Sequence, residues 1–276
     1  MTGDGDTPRV LVLRTAGTNC DEETALAFRL AGWAVEVLHV GVFLRGERTL
    51  DDFHGLVLPG GFSYGDDLGA GTVLANQLRA HLADKLVAFV ESGRLVLGIC
   101  NGFQVLVRLG LLPGWLGEPA VALVENHSAK FEARWVELRV DTTRCAFLQS
   151  SGERPVLRLP VAHKEGRFVV KDAATFERLE SGGHVALRYV SAGAGEAGGY
   201  PANPNGSIGD IAGIMNAEGN VLGLMPHPER HLRRLHDPHW TRRRVTEGVP
   251  EDEMRAGDGF QFFRFAYEHA RGLRVG

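Results

Sequence analysis

The chain reads as an α/β protein, with a mostly parallel central sheet, helices on both faces and an antiparallel elaboration. Two observations predict this. From Arg9 onward short apolar runs alternate with longer amphipathic segments, the pattern of strand-helix-strand units. The first run, VLVL at 10 to 13, is apolar at every position rather than at alternate ones, as a strand buried between two helical layers must be.

After that first strand, Asp21 can cap a helix over DEETALAFRLAGW. Its apolar stripe is Ala25, Leu26, Phe28, Leu30 and Ala31, and Gly32 ends it. AVEVLHV, residues 34 to 40, is the second strand, and GLVLP, 55 to 59, is the third, running straight into Gly60-Gly61. Residues 72 to 93 form a long helix that stops at Gly93, and LVLGI, 95 to 99, is the fourth strand. In a sheet of this kind the reactive loops lie at the carboxyl ends of the strands. Between about 120 and 190 helical periodicity weakens, and FEARWVEL, PVLRLPVA and HVALRYV read as antiparallel strands, partly at the edge. A Gly/Pro/Asn-rich loop follows at 191 to 206, then the apolar runs SIGDIAGIMN and NVLGLM, an arginine-rich insertion at 231 to 256, and a last amphipathic helix from about Asp258 to Ala270. The expected organisation is a flexible tail over 1–8 and one domain over 9–272.

Composition narrows the function. Thirty Lys plus Arg against 34 Asp plus Glu give a net charge of −4, so nothing suggests a general binder of nucleic acid or of membrane surfaces. Three cysteines cannot build a disulfide scaffold or a four-cysteine zinc site, and no metal site is expected. No run is long and apolar enough for a signal peptide or a membrane span, so a cytoplasmic protein is expected. The 36 glycines are about twice the usual share.

The stretch LVLGICNGFQVLVRLGLL places Cys100 where a buried strand turns sharply into a helix. Gly98 and Gly102 permit the cramped backbone of a nucleophile elbow, and the amides and dipole of a helix N-terminus favour a thiolate. The alternative is a buried structural cysteine, the reading kept here for Cys20 and Cys145. A thiolate needs a base, and the base an orienting group. Among the 11 histidines, His227 stands in the rigid run Pro226-His227-Pro228-Glu229 just after NVLGLM. In an extended chain side chains two apart point the same way, so Glu229 can hold the His227 ring. Acyl transfer also needs two donors for an oxyanion, and Gly61 and Asn101 can offer backbone amides. Read alone, Gly60-Gly61 is more readily a tight turn; its place at the carboxyl end of a strand expected to neighbour the elbow favours the oxyanion role.

Taken together, GICNGFQ (98–104), LPGGFSYGDDLGAG (58–71), FEARWV (131–136), PVAHKEGRF (160–168), SIGDIAGIMNAEGNVLGLMPHPER (207–230) and GDGFQFF (257–263) resemble the glutaminase component of phosphoribosylformylglycinamidine synthases. That family is a branch of the class I, or triad, glutamine amidotransferases, whose fold is flavodoxin-like. The resemblance spans about residues 9 to 270. It implies that Cys100 attacks the side-chain amide of glutamine, that Gln104 contacts that substrate, and that ammonia passes to a synthetase subunit, with a small bridging subunit as a further partner. His163, Lys164 and Glu165 would then lie near the synthetase interface; without the resemblance they read as a charged surface turn. The chain has four lysines, none following a glycine, so it holds no Walker-type phosphate loop and no cofactor of its own is expected. ATP and magnesium belong on the synthetase. Two departures from the short bacterial pattern, GDDLGAG and the 231–256 insertion, fall outside the triad. Another amidotransferase complex, or a scaffold that has kept the fold, is the competing reading.

Overall fold

The computed structural model describes residues 7–142, 144–148, 156–191, 195–196, 198–248 and 256–273. Residues 1–6 of the expected tail, part of the 191–206 loop and 249–255 of the expected insertion lie outside them.

The first half of the chain builds the parallel part of the sheet: β1 (Arg9–Arg14), α1 (Asp21–Leu30), β2 (Ala34–His39), α2 (Val40–Leu44), β3 (Gly55–Leu58), α3 (Thr72–Glu91), β4 (Leu95–Ile99) and α4 (Asn101–Leu109). β3 and β4 are buried at every residue, as their unbroken apolar runs require. Strand β2 is at the sheet edge and only partly buried, and it ends one residue early because Val40 opens the short helix α2, which the strand-like reading of 34 to 40 missed. His39 Nδ1 caps α2 by accepting from Gly41 N at 3.1 Å.

Helix α1 differs from expectation in two ways. Its N-cap is Cys20, so Asp21 is the first helical residue and joins Glu22 and Glu23 in a first turn that complements the helix dipole. Its buried residues are Asp21, Thr24, Ala25, Ala27 and Phe28, while Leu26 and Leu30 are 48% and 47% exposed. Small residues at 25 and 27 let the helix close on the sheet, and Phe28 anchors it edge-on between Trp33 and Phe263, at 5.4 and 4.9 Å between ring centroids. Burying such a ring is worth about 2–3 kcal/mol.

The second half contributes β5 (Val121–Val124), β6 (Glu132–Val140), β7 (Val156–His163), β8 (Arg167–Val170), α5 (Ala173–Ser181), β9 (Val185–Ser191), β10 (Gly195–Glu196), β11 (Ile211–Met215), β12 (Val221–Leu224), α6 (Trp240–Glu247) and α7 (Phe260–Ala270). Strands β5 and β8 form a separate antiparallel pair, and α5 starts where Asp172 accepts from Thr175 N at 2.8 Å, a cap signal masked by the strand-rich composition around it.

All other strands join one sheet in the order β2-β1-β3-β4-β12-β11-β9-β6-β7, with β10 beside β9. From β2 to β12 the neighbours are parallel; beyond β12 they are antiparallel. The change of sense follows from chain economy. Strand β12 pairs parallel with β4, and the tight Asn216–Asn220 return from β11 can only make an antiparallel neighbour. Carboxyl ends of β1, β3, β4 and β12 therefore gather at one rim, where four loops meet.

Candidate active site

At the end of β4 the backbone of Cys100 takes φ 51°, ψ −105°, a conformation a side chain adopts only under constraint. Its amide donates to Leu224 O on β12 at 2.8 Å, and its carbonyl accepts from Gln104 N at 3.2 Å, so β12 and the first turn of α4 hold it. A Cβ on Gly102 would sit 1.8 Å from Leu58 O, and one on Gly98 would meet Gly102 O at 2.7 Å; both glycines let α4 start directly over β3. Cys100 is buried, with Sγ 3.7 Å from Ala162 O. The elbow read from the sequence is present.

His227 and Glu229 pair as expected but by a different geometry. Glu229 lies in a 3-10 turn, Pro228–Arg230, rather than in extended chain. The fixed φ of Pro228 suits the first position of a helical turn, and the turn, not strand alternation, brings Glu229 Oε1 to 2.6 Å from His227 Nδ1. His227 N donates to Pro160 O at 2.8 Å, tying the turn to β7. Both side chains are buried. Burial alone would push the His227 imidazole down, but the Glu229 carboxylate and the Cys100 sulfur more than reverse this and hold it well above the ordinary histidine value. Nδ1 bonded to a carboxylate leaves Nε2 as the reactive nitrogen, and Nε2 has no partner among the described residues.

Two loops set the amides. Thr18 and Gly61 oppose each other in an antiparallel bridge whose hydrogen bonds are made by their neighbours, Asn19 N to Gly60 O (3.3 Å) and Phe62 N to Gly17 O (2.8 Å). In such a pair the central residue turns its own N–H outward. Gly61 has φ 143°, and a Cβ there would lie 2.6 Å from Asn19 N, so this position requires glycine. Asn101 is the first residue of α4, whose leading amides have no intrahelical acceptor. The Cys100 thiol, the His227 imidazole with a buried carboxylate behind it, and Gly61 thus line one cavity of about 350 Å³, with Asn101 next to Cys100 in the chain. A wider groove of about 640 Å³, lined by Arg79, Arg108 and Val121–Val124 among others, contains no cysteine or histidine.

Residues 7–270 match the description of a CobB/CobQ-like glutamine amidotransferase domain. The chain belongs to the glutamine amidotransferases. Within them it belongs with the PurQ subunits of phosphoribosylformylglycinamidine synthase. The Dehalococcoides mccartyi subunit of that name is 43% identical over 265 residues, 95% of this chain and 98% of the relative. The one from Archaeoglobus fulgidus is 43% identical over 80% of this chain and 87% of its own. Among solved structures, PurLQS from Thermotoga maritima contains a chain 32% identical, with TM-score 0.71, covering 95% of this chain and 99% of that one. The glutaminase domain of Trypanosoma brucei CTPS, 14% identical with TM-score 0.52, shares the fold, over 95% of this chain and 94% of its own.

In this amidotransferase the remaining expected residues fall into different settings. Gln104 lines the cavity, but its amide is engaged on both sides: Oε1 accepts from Asn101 Nδ2 at 3.1 Å and Nε2 donates to Glu165 O. It ties the elbow helix to the loop after β7. His163 is not part of a surface turn. It is 3% exposed, Nδ1 bonds Asn126 Oδ1 at 3.1 Å, and burial, with the nearby His227, pushes its pKa down to about 3, so it is neutral. Lys164 does reach solvent, where it pairs with Glu125 at 3.2 Å, and Glu165 Oε2 accepts from Ala70 N at 3.2 Å. Asp66, unremarked in the sequence, accepts from Gly71 N and Asn101 Nδ2, both at 3.1 Å, and so fastens the loop after β3 to the elbow; burial raises its pKa.

Cys20 is the other residue the sequence reading passed over. It lines the same cavity as Cys100 and lies beside His227. Position in the fold was the available signal: Cys20 follows β1, a strand adjacent to β3, and so belongs to the same rim of carboxyl-end loops.

Proposed function

We propose that this chain hydrolyses glutamine to glutamate and ammonia as the glutaminase subunit of phosphoribosylformylglycinamidine synthase. The ammonia goes to a synthetase subunit that uses ATP to convert formylglycinamide ribonucleotide into its amidine in purine biosynthesis. The observation that carries the chemistry is the 2.6 Å His227–Glu229 pair opening on the same cavity as the Cys100 elbow.

In this reading Cys100 sulfur attacks the carboxamide carbon of glutamine. The oxyanion that forms is held by the Gly61 and Asn101 amides, and imidazolium His227 gives its proton to the departing nitrogen, releasing ammonia and leaving a thioester. Glu229 keeps Nδ1 protonated and stabilises the charged ring. Neutral His227 then deprotonates water, which attacks the thioester and frees glutamate. The synthetase and small subunits with which relatives are named, PurL and PurS, supply the ATP and magnesium chemistry; Lys164 and Glu165 at the cavity mouth are candidates for contact with them. No helix among the described residues is long and apolar enough to cross a membrane, in keeping with a cytoplasmic enzyme.

Replacing Cys100 with Ala in the complex with its synthetase abolishes amidine formation from glutamine by several orders of magnitude and leaves synthesis from added ammonia. Glutamine use retained by Cys100→Ala would sink the proposal.

A further inference from the structure

A second thiol stands beside the base. Cys20, 1% exposed, caps the start of α1 with its backbone position but makes no side-chain cap bond. Its Sγ instead accepts from Arg230 Nη2 at 3.1 Å. One ligand atom each from Cys20, His227 and Glu229 lie within 4.8 Å of one another, and all three residues are buried. Gly60 makes this meeting possible, because a Cβ there would lie 2.8 Å from His227 Cε1 and 3.1 Å from Cys20 Sγ. One lone-pair atom of the group, Glu229 Oε2, has no hydrogen-bond partner among the described residues. A buried acceptor left in that state costs about 1–3 kcal/mol. The proposed glutaminase chemistry uses Nε2 but requires neither Cys20 nor the free carboxylate oxygen.

We propose that Cys20, His227 and Glu229 form a binding site for a thiophilic divalent cation such as zinc, whose occupation reversibly switches the glutaminase off. The inhibitory part rests on the reading of His227 as base and Glu229 as its orienter. One thiolate, one imidazole and one carboxylate form a donor set that suits zinc, with a fourth tetrahedral position left to water from the cavity. The two anionic donors balance the charge of the ion. Arg230 opposes it, and must leave the sulfur; its Nε already lies 3.6 Å from Glu23 Oε1, which can retain it. Binding releases the Cys20 thiol proton and the imidazolium proton of His227 to solvent. Either imidazole nitrogen, once coordinated, disables the triad. At Nε2 the metal takes the lone pair that accepts the catalytic proton, and at Nδ1 it breaks the bond to Glu229.

Cadmium serves as the probe, read through its thiolate charge-transfer absorbance in the chain complexed with its synthetase, with zinc inhibition of glutamine hydrolysis followed in parallel. Wild type and Cys100→Ser are both expected to show the cadmium band, and a chelator is expected to restore wild-type hydrolysis. In Cys20→Ser the band disappears. The zinc concentration that halves that variant's own metal-free rate rises by more than the roughly tenfold that loss of an outer-shell partner costs. Cys20→Ala repeats the test without a polar replacement. In the wild-type chain, zinc protection of Cys20 against slow alkylation, mapped by mass spectrometry, reads the contact without any substitution. A band that follows Cys100 instead of Cys20, unchanged zinc sensitivity in both Cys20 variants, or no protection of Cys20 overturns the site. Failure of the glutaminase reading would appear separately, as glutamine hydrolysis retained by Cys100→Ser.

Discussion

The two halves of the sheet solve different problems. In the parallel half, β3, β4 and β12 are buried at every position, and the functional groups stand just beyond their ends on backbone that only glycine or a constrained residue can follow. Towards the far edge of the antiparallel half the pattern alternates: β7 throughout, and β6 from Val136 to Val140, show buried residues at every second place, and the positions between carry charges such as Arg139. The difference teaches where each kind of substitution should be felt. Chemistry depends on backbone shape at the parallel rim, whereas much of the antiparallel half's polar structure bears on stability alone.

Glu229→Gln tests the first part most sharply. It keeps the shape of the turn but removes the charge behind His227, and a loss of about 10³–10⁴ in kcat is expected in protein that is still folded, alongside a loss of unfolding free energy from breaking a buried pair. Steady-state glutaminase kinetics beside denaturant melts would show it; a loss under tenfold would remove Glu229 from the triad. Gly102→Ala is next. Its Cβ meets Leu58 O at 1.8 Å, so α4 must move off β3, at a cost of at least about 3 kcal/mol in urea unfolding. Near-wild-type stability there would mean the elbow is more pliant than its glycines imply.

In the antiparallel half, Asp141 accepts from Arg139 Nε and Arg188 Nε, both at 2.6 Å. Burial would raise its pKa, but the two guanidiniums outweigh this and lower it. A lowered folded-state pKa stabilises the protein above the ordinary aspartate value of about 4, and that contribution is lost as pH falls through the lowered value. Asp141→Asn should therefore cost about 2–3 kcal/mol at neutral pH, converge with wild type in strong acid, and leave kcat unchanged. A marked drop in kcat would contradict the division between the halves. The smallest effect is expected for Leu26→Gln on the exposed face of α1, within about 0.5 kcal/mol by thermal unfolding. A larger loss would restore Leu26 to the buried stripe.

Legibility followed the same division. VLVL, GLVL and LVLGI were readable because burial on both faces leaves no choice of residue type, and the Cys100 elbow because steric demand at 98 and 102 admits only glycine. The antiparallel pieces were recognisable as strands, yet not their order, since register and neighbours are set by contacts far apart in sequence. Helices α2 and α5 were missed because each is short and its cap, His39 or Asp172, outweighs weak periodicity. The His227–Glu229 pair was found through strand alternation, although a proline-started turn makes it. Cys20 was passed over because its neighbours in space, Gly60, His227 and Arg230, are distant in the chain.

One contact between the halves has a further consequence. Strand β7 is the last in the sheet, and Pro160 on it pairs with Trp135 of β6 on one side. On the other side its carbonyl accepts the His227 amide, and proline has no N–H there to leave exposed. The turn that carries His227 thus occupies the place of a next strand and covers part of an edge that could otherwise recruit another molecule. Loss of the His227–Pro160 hydrogen bond therefore both uncovers this part of the edge and releases the His227 turn.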